Sequence, residues 1–209
     1  MDFLFGVAVG WAQTAIGHPF DTYVVLTQIR RREKITARIL YRGVTIPLAC
    51  SATYNSMLFG VYSQTYKLVE NHWIAGAIAG AAGGPVLCLT DSYKIGLQTQ
   101  SKTRTLFKGV GVTTLLECPA NSIYFGVYHT LRSNQLSTWL SGGLAGISAW
   151  ASVYPLDVIK TRIQSGVATD YKNAIKMGGF SKGLFLCLTR AFLTNALGFC
   201  IYDQMKMLV

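Results

Sequence analysis

The feature that most constrains this chain is an internal triplication. HPFDTYVVLTQ (18–28), CLTDSYKIGLQ (88–98) and YPLDVIKTRIQ (154–164) align so that Asp21, Asp91 and Asp157 share one column and Gln28, Gln98 and Gln164 another. The aspartates are 70 and 66 residues apart. A second pattern follows each copy: YRGVTIPLACSATYNSMLFGVY (41–62), FKGVGVTTLLECPANSIYFGVY (107–128) and SKGLFLCLTRAFLTNALGFCIY (181–202). It aligns Arg42-Gly43, Lys108-Gly109 and Lys182-Gly183, then Asn55, Asn121 and Asn195, then Tyr62, Tyr128 and Tyr202. A repeat of this length is one supersecondary unit used several times, and it divides the chain at 1–70, 71–135 and 136–209.

Six apolar segments, at about 3–28, 44–66, 73–98, 109–131, 136–163 and 183–207, place two in each repeat. Each is long enough to cross a hydrocarbon core of about 30 Å as a helix. Charged residues make up 13% of the chain, half the share usual in soluble domains, and 21 glycines are spread through the apolar stretches. Glycines spaced by four (Gly6/Gly10, Gly76/Gly80/Gly84, Gly142/Gly146) form small-residue ridges that permit close helix approach. The fold expected is an all-α membrane protein. Asp2 stands where a signal peptide would be basic, and no signal peptide is expected.

Of the 19 Lys and Arg, 12 lie after segments 1, 3 and 5: Arg30, Arg31, Arg32, Lys34, Arg38, Arg42, Lys102, Arg104, Lys108, Lys172, Lys176 and Lys182. The opposite ends hold only Lys67, Arg132 and Lys206. By the positive-inside rule the basic loops face the inner compartment and both termini face out. The formal net charge of +10 is thus a one-sided membrane pattern suited to anionic lipid, and no nucleic-acid partner is expected. Cys50, Cys88, Cys118, Cys187 and Cys200 lie inside apolar segments, odd in number and without C-x-x-C spacing, so no disulfide framework or metal site is expected.

P-x-[DE]-x-x-[KR]-x-[KR]-x-Q ending each odd helix, followed by aromatic-[KR]-G, resembles the mitochondrial carrier family, and PLDVIKTRIQ (155–164) fits throughout. The resemblance spans the whole chain. It implies six tilted helices in three pseudo-symmetric two-helix repeats around a central cavity. It also implies the inner mitochondrial membrane, matrix-facing basic loops, termini in the intermembrane space, solute exchange by alternating access, a monomer and bound cardiolipin. Arg42-Gly43, Lys108-Gly109 and Lys182-Gly183 are the expected lipid contacts. The copies also depart from the pattern. Val24 and Leu26 replace the basic pair in repeat 1, Leu89 and Gly96 replace the proline and the second basic residue in repeat 2, and the loops between Gln28 and Arg42 and between Gln98 and Lys108 are short. Repeat 3 has room for a short helix in its loop.

A carboxylate at membrane depth should face the bundle interior and find a partner. In a threefold ring the family's order gives a matrix gate of Asp21–Lys94 and Asp91–Lys160, with Asp157 facing Val24 and so lacking a bridge. Gln28, Gln98 and Gln164, one turn on, are expected to brace the pairs. At the other end [FY]-[DE]-x-x-[KR] is intact only as Tyr202-Asp203-x-x-Lys206. Tyr128-His129-x-x-Arg132 and Tyr62-Ser63-x-x-Tyr66 lack it, which leaves Arg132–Asp203 as the one cytoplasmic bridge and Tyr62, Tyr128 and Tyr202 as braces. His129 there reads as an interfacial histidine or a pH-sensitive element.

Arg190 and Glu117 stand at similar depth on the even helices, with Cys50, Ser51 and Tyr54 level with them. Charges there read as function by default. Arg190 suits a carboxylate and Glu117 a cation, unless the two simply pair. Arg190-Ala191-Phe192-Leu193-Thr194-Asn195-Ala196 and Leu116-Glu117-Cys118-Pro119 resemble the carnitine and ornithine (basic amino acid) branch, with Leu116 in place of that branch's arginine. The expected activity is transport of an amino acid or amino-acid-like cation, by exchange or uniport. The alternatives are a carboxylate or nucleotide carrier, or a non-transporting membrane adaptor. His18, His72 and His129 are scattered along the chain, and no catalytic constellation is expected.

Overall fold

A computed structural model describes residues 2–30, 36–99 and 110–207, without the side chains at 2–9, 52, 56, 99, 199 and 202–207. Six long helices carry the fold: α1 (Asp2–Gln28), α3 (Thr45–Val69), α4 (His72–Thr99), α5 (Val110–Ser133), α6 (Thr138–Gln164) and α8 (Leu184–Met207). Two short ones, α2 (Ala37–Leu40) and α7 (Tyr171–Lys176), lie in the basic loops. No strand occurs among the described residues. The shortest long helix has 24 residues, about 36 Å at 1.5 Å per residue.

Each long helix packs on its chain neighbours, and α8 returns to α1, so the six close a ring. The odd members α1, α4 and α6 also touch one another. Each of these three contains a proline, Pro19 and Pro155 in the half leading to the basic end and Pro85 at mid-helix. Proline removes a backbone hydrogen bond and bends its helix. Gly76, Gly80 and Gly84 let α4 lie directly on the α5 backbone. A methyl group at Gly76 would stand 2.5 Å from the Asn121 carbonyl, and one at Gly84 would stand 2.8 Å from Thr114 Cα. Gly43 and Gly183, from matching columns, both hold positive φ, +82° and +84°, as α3 and α8 begin. A side chain would be strained in that conformation.

Among the described residues, α4 alone is long and apolar enough throughout to cross a membrane by length and composition, with a mean hydropathy of 1.5 over its most apolar window. In the other long helices, polar residues interleave with the apolar ones. The ring turns many of these toward its interior, as the next contacts show.

Candidate functional site

At the basic end, α1, α4 and α6 present their repeated aspartates to one another. Lys94 Nζ lies 2.5 Å from Asp21 Oδ2, and Lys160 Nζ lies 2.5 Å from Asp91 Oδ2. Each lysine follows its own aspartate by three residues and reaches the aspartate of the preceding repeat. At the third position Asp157 makes no salt bridge among the described residues. Val24 is buried against Tyr154, Val158 and Cys187, yet Asp157 is not without a partner, because Gln28 Nε2 donates to Asp157 Oδ2 at 2.7 Å. The other two glutamines do not brace the ion pairs directly. Gln98 Nε2 donates to Thr22 Oγ1 at 2.8 Å, and Gln164 Nε2 reaches Cys88 Sγ at 3.5 Å. All five contacts run in the same rotational sense, each repeat donating to the one before it.

The basic-glycine pairs are tied to the same ring. His18 Nε2 lies 3.0 Å from the Arg42 carbonyl, and the Tyr154 hydroxyl donates to the Lys182 carbonyl at 2.5 Å. His18 and Tyr154 occupy one repeat column. Lys108 and Gly109 lie outside the described residues. Arg162, the second basic residue of repeat 3, is fully buried. It donates to the carbonyls of Gln28, Ala174 and Gly178, at 3.3, 2.9 and 2.7 Å, and so fastens α7 to the end of α1.

Above the ring, α1, α3, α6 and α8 enclose a cavity of about 270 Å³ lined by Gln13, Thr14, Asp21, Asn55, Trp150 and Arg190, with Ser51, Thr194 and Asn195 beside them. Arg190 does not pair with Glu117. Its Nε stands 3.0 Å from Asp21 Oδ1, and its guanidinium lies 4.9 Å over the Trp150 ring. Glu117 is buried and outside this lining. It accepts from the Tyr54 hydroxyl at 2.8 Å and from Asn121 Nδ2 at 3.0 Å, and it makes no salt bridge among the described residues. Leu116 is buried and Cys50 half-buried, and neither lines the cavity. Sequence reasoning overlooked Gln13, Thr14 and Trp150. The first two were findable, because Gln13, Thr14, Gly17, His18 and Asp21 recur at helical spacing and make one polar stripe on the apolar α1. Apart from Arg162, whose guanidinium is bound to backbone carbonyls, the buried or half-buried Asp21, Asp91, Asp157 and Glu117 stand against Lys94, Lys160 and Arg190, so the formal balance of these seven groups is −1.

At the opposite end two of the three histidines, far apart in the sequence, come together. The rings of His72 and His129 stack 3.6 Å apart at an interplanar angle of 1°. The Tyr62 oxygen lies 2.7 Å from His72 Nδ1 and 2.9 Å from His129 Nε2, and with one proton it donates to one ring and accepts from the other. Phe125 stacks on Tyr62 at 3.9 Å and Tyr66 on His72 at 4.2 Å, while Tyr128 meets His129 edge-on at 5.3 Å. Arg132 Nη1 donates to the Leu136 carbonyl at 2.6 Å. The side chains of Tyr202, Asp203 and Lys206 lie outside the described residues.

Residues 131–209 match the family described as mitochondrial carrier protein. The mitochondrial arginine transporter BAC2 of Arabidopsis thaliana is 30% identical, over 97% of this chain and 89% of that protein. The mitochondrial basic amino acids transporter of Bos taurus is 30% identical over 95% of this chain and 89% of its own length. The mitochondrial carnitine/acylcarnitine carrier-like protein of Arabidopsis thaliana is 27% identical over 98% of this chain and 97% of its own length. The alignment with the arginine transporter runs over 263 positions against the 209 residues here, so at least 54 of its positions face a gap in this chain.

Proposed function

The chain belongs to the mitochondrial carrier family, and from that premise we propose that it carries a basic amino acid, or a cation built like one, by alternating access. As an all-α protein of the mitochondrial inner membrane it transports a small-molecule solute. In this reading three two-helix repeats, 1–70, 71–135 and 136–209, surround a central cavity in a monomer whose termini face the intermembrane space. The closed ring of helices and the shared geometry of the repeat columns support that arrangement. Asp21–Lys94, Asp91–Lys160 and Gln28–Asp157 form the matrix gate, with Gln98 and Gln164 reinforcing neighbouring contacts. The Tyr62–His72–His129 cluster, with Tyr128, Tyr202, Arg132, Asp203 and Lys206, forms the cytoplasmic gate. Cardiolipin binds at Arg42-Gly43, Lys108-Gly109 and Lys182-Gly183, whose basic residues suit an anionic head group in the matrix leaflet.

The observation that carries the cargo class is that the gate and cavity set four carboxylates, Asp21, Asp91, Asp157 and Glu117, against three cations, Lys94, Lys160 and Arg190, while the buried Arg162 is committed to backbone carbonyls outside the cavity lining. Uncompensated charge is costly at membrane depth, and a cargo with one net positive charge removes the imbalance. A nucleotide or tricarboxylate adds charge of the wrong sign. Arg190, in the cavity wall, holds the cargo's carboxylate, while Glu117 with Tyr54 supplies the negative charge deeper in the α3–α5 side. Relatives named as arginine and basic amino acid transporters point the same way.

Purified protein in cardiolipin-containing liposomes should take up labelled arginine, lysine or ornithine saturably, and Arg190→Ala should abolish uptake. Folded protein that moves none of these, nor carnitine, overturns transport and leaves the adaptor reading.

A further inference from the structure

We propose that the Asp21–Arg190 couple is the receptor for the head group of an α-amino acid. Arg190 takes the α-carboxylate and Asp21 Oδ1 takes the α-ammonium. This specifies the cargo of the site above and rests on that reading.

The two side chains face the same cavity and touch each other, Nε to Oδ1 at 3.0 Å. An α-amino acid carries its ammonium and carboxylate on one carbon, so its two charges have the same adjacency as this pair. Binding is then an exchange of partners. The internal ion pair opens, each half meets the opposite charge of the ligand, and no buried charge is left alone at the end. A ligand with only one of the two groups cannot complete the exchange. It leaves either Asp21 or Arg190 unpaired, or leaves the pair closed and gains nothing from it.

Two details fit this use. Asp21 divides its oxygens, Oδ1 to Arg190 and Oδ2 to Lys94 at 2.5 Å, so a ligand ammonium can replace Arg190 on Oδ1 while the gate contact on Oδ2 persists. Trp150 lies under the Arg190 guanidinium at 4.9 Å and holds its plane, leaving the edge of the plane for a carboxylate. Glu117, engaged by Tyr54 and Asn121 outside the cavity lining, is not the partner of the head group. Asp21 therefore belongs to the gate and to the cargo site at once.

The test is competition against labelled arginine exchange in proteoliposomes, using arginine, agmatine (no carboxylate) and 5-guanidinopentanoate (no α-amino group). In the wild type both analogues should compete about tenfold or more weakly than arginine. Asp21→Asn should erase most of the preference for arginine over 5-guanidinopentanoate. Lys94→Gln disturbs the same gate without touching Oδ1 and should change the exchange rate while keeping that preference. Equal competition by 5-guanidinopentanoate in the wild type overturns the proposal, as does an equal loss of preference in Asp21→Asn and Lys94→Gln. If Asp21→Asn does not fold, the wild-type competition series decides alone. Absence of arginine exchange in the wild type sinks the transport reading instead.

Discussion

Gln28 substitutes for the third lysine bridge that the repeat pattern would put at position 24, one turn before it, and its removal measures what that substitute contributes. Gln28 is buried and donates at 2.7 Å to Asp157, a carboxylate whose own repeat column would otherwise bring it to Val24. A hydrogen bond to a charged group is worth about 1.5–3 kcal/mol, so Gln28→Leu should weaken closure of the basic end by about 2 kcal/mol. That corresponds to a melting temperature lower by about 4–8 °C for a chain of this size. Cys187 reports the same opening locally, because it is buried against Val24, Tyr154 and Val158. Its alkylation, followed by mass spectrometry, should accelerate by a factor of about 30. Val24→Lys alone should change stability little: the lysine gains Asp157 as Lys94 gains Asp21, but it displaces packing worth about 1 kcal/mol and competes with Gln28. Combined with Gln28→Leu, it should restore both readouts, giving a favourable coupling of about 2 kcal/mol in the double-mutant cycle. Unchanged melting and alkylation in Gln28→Leu, or a double variant no better than the single one, refutes the ring geometry argued for this end.

Three further substitutions test other parts of the bundle by thermal melting. Gly80→Ala drives a methyl group into the Glu117 carbonyl and should destabilise by about 1–3 kcal/mol. By contrast Gly60→Ala, in helix α3 with nothing within 4 Å of the added methyl, should stabilise by about 0.5–1 kcal/mol. Tyr62→Phe keeps the ring stack but leaves His72 and His129 without the shared hydroxyl, and should cost about 1–2 kcal/mol. An unchanged melting temperature there means that ring stacking alone closes the outer end.

Much of this architecture is written in the sequence because lipid is a demanding solvent. A span must be long, apolar and helical, and the six helices begin and end within three residues of the apolar segments. The contacts Lys94–Asp21 and Lys160–Asp91 were legible for a different reason: repetition turns one spacing into three equivalent places, and ring order names the partner. Legibility fails where a contact obeys neither rule. Arg190 crosses to Asp21 instead of Glu117, a choice set by side-chain reach in the assembled bundle. His72 and His129 sit 57 positions apart in unrelated columns and meet only through the packing of α4 on α5. Val24 exposes the limit of column reasoning. The missing charge was visible, whereas its replacement by Gln28, one turn further on, required knowing that the amide reaches Asp157.

The closure of α8 onto α1 has a consequence for synthesis. Gln13 donates to the Thr194 carbonyl at 3.0 Å, and Asp21 meets Arg190, so α1 finds these partners only once α8, 181 positions downstream at the first contact, has been made. Until then α1 waits in the membrane with a carboxylate and an amide still lacking their final contacts. Such long-range pairings are slow to form. A nascent or truncated chain without α8 therefore carries an unfinished polar stripe on α1, a mark by which membrane quality control can tell it from the completed ring.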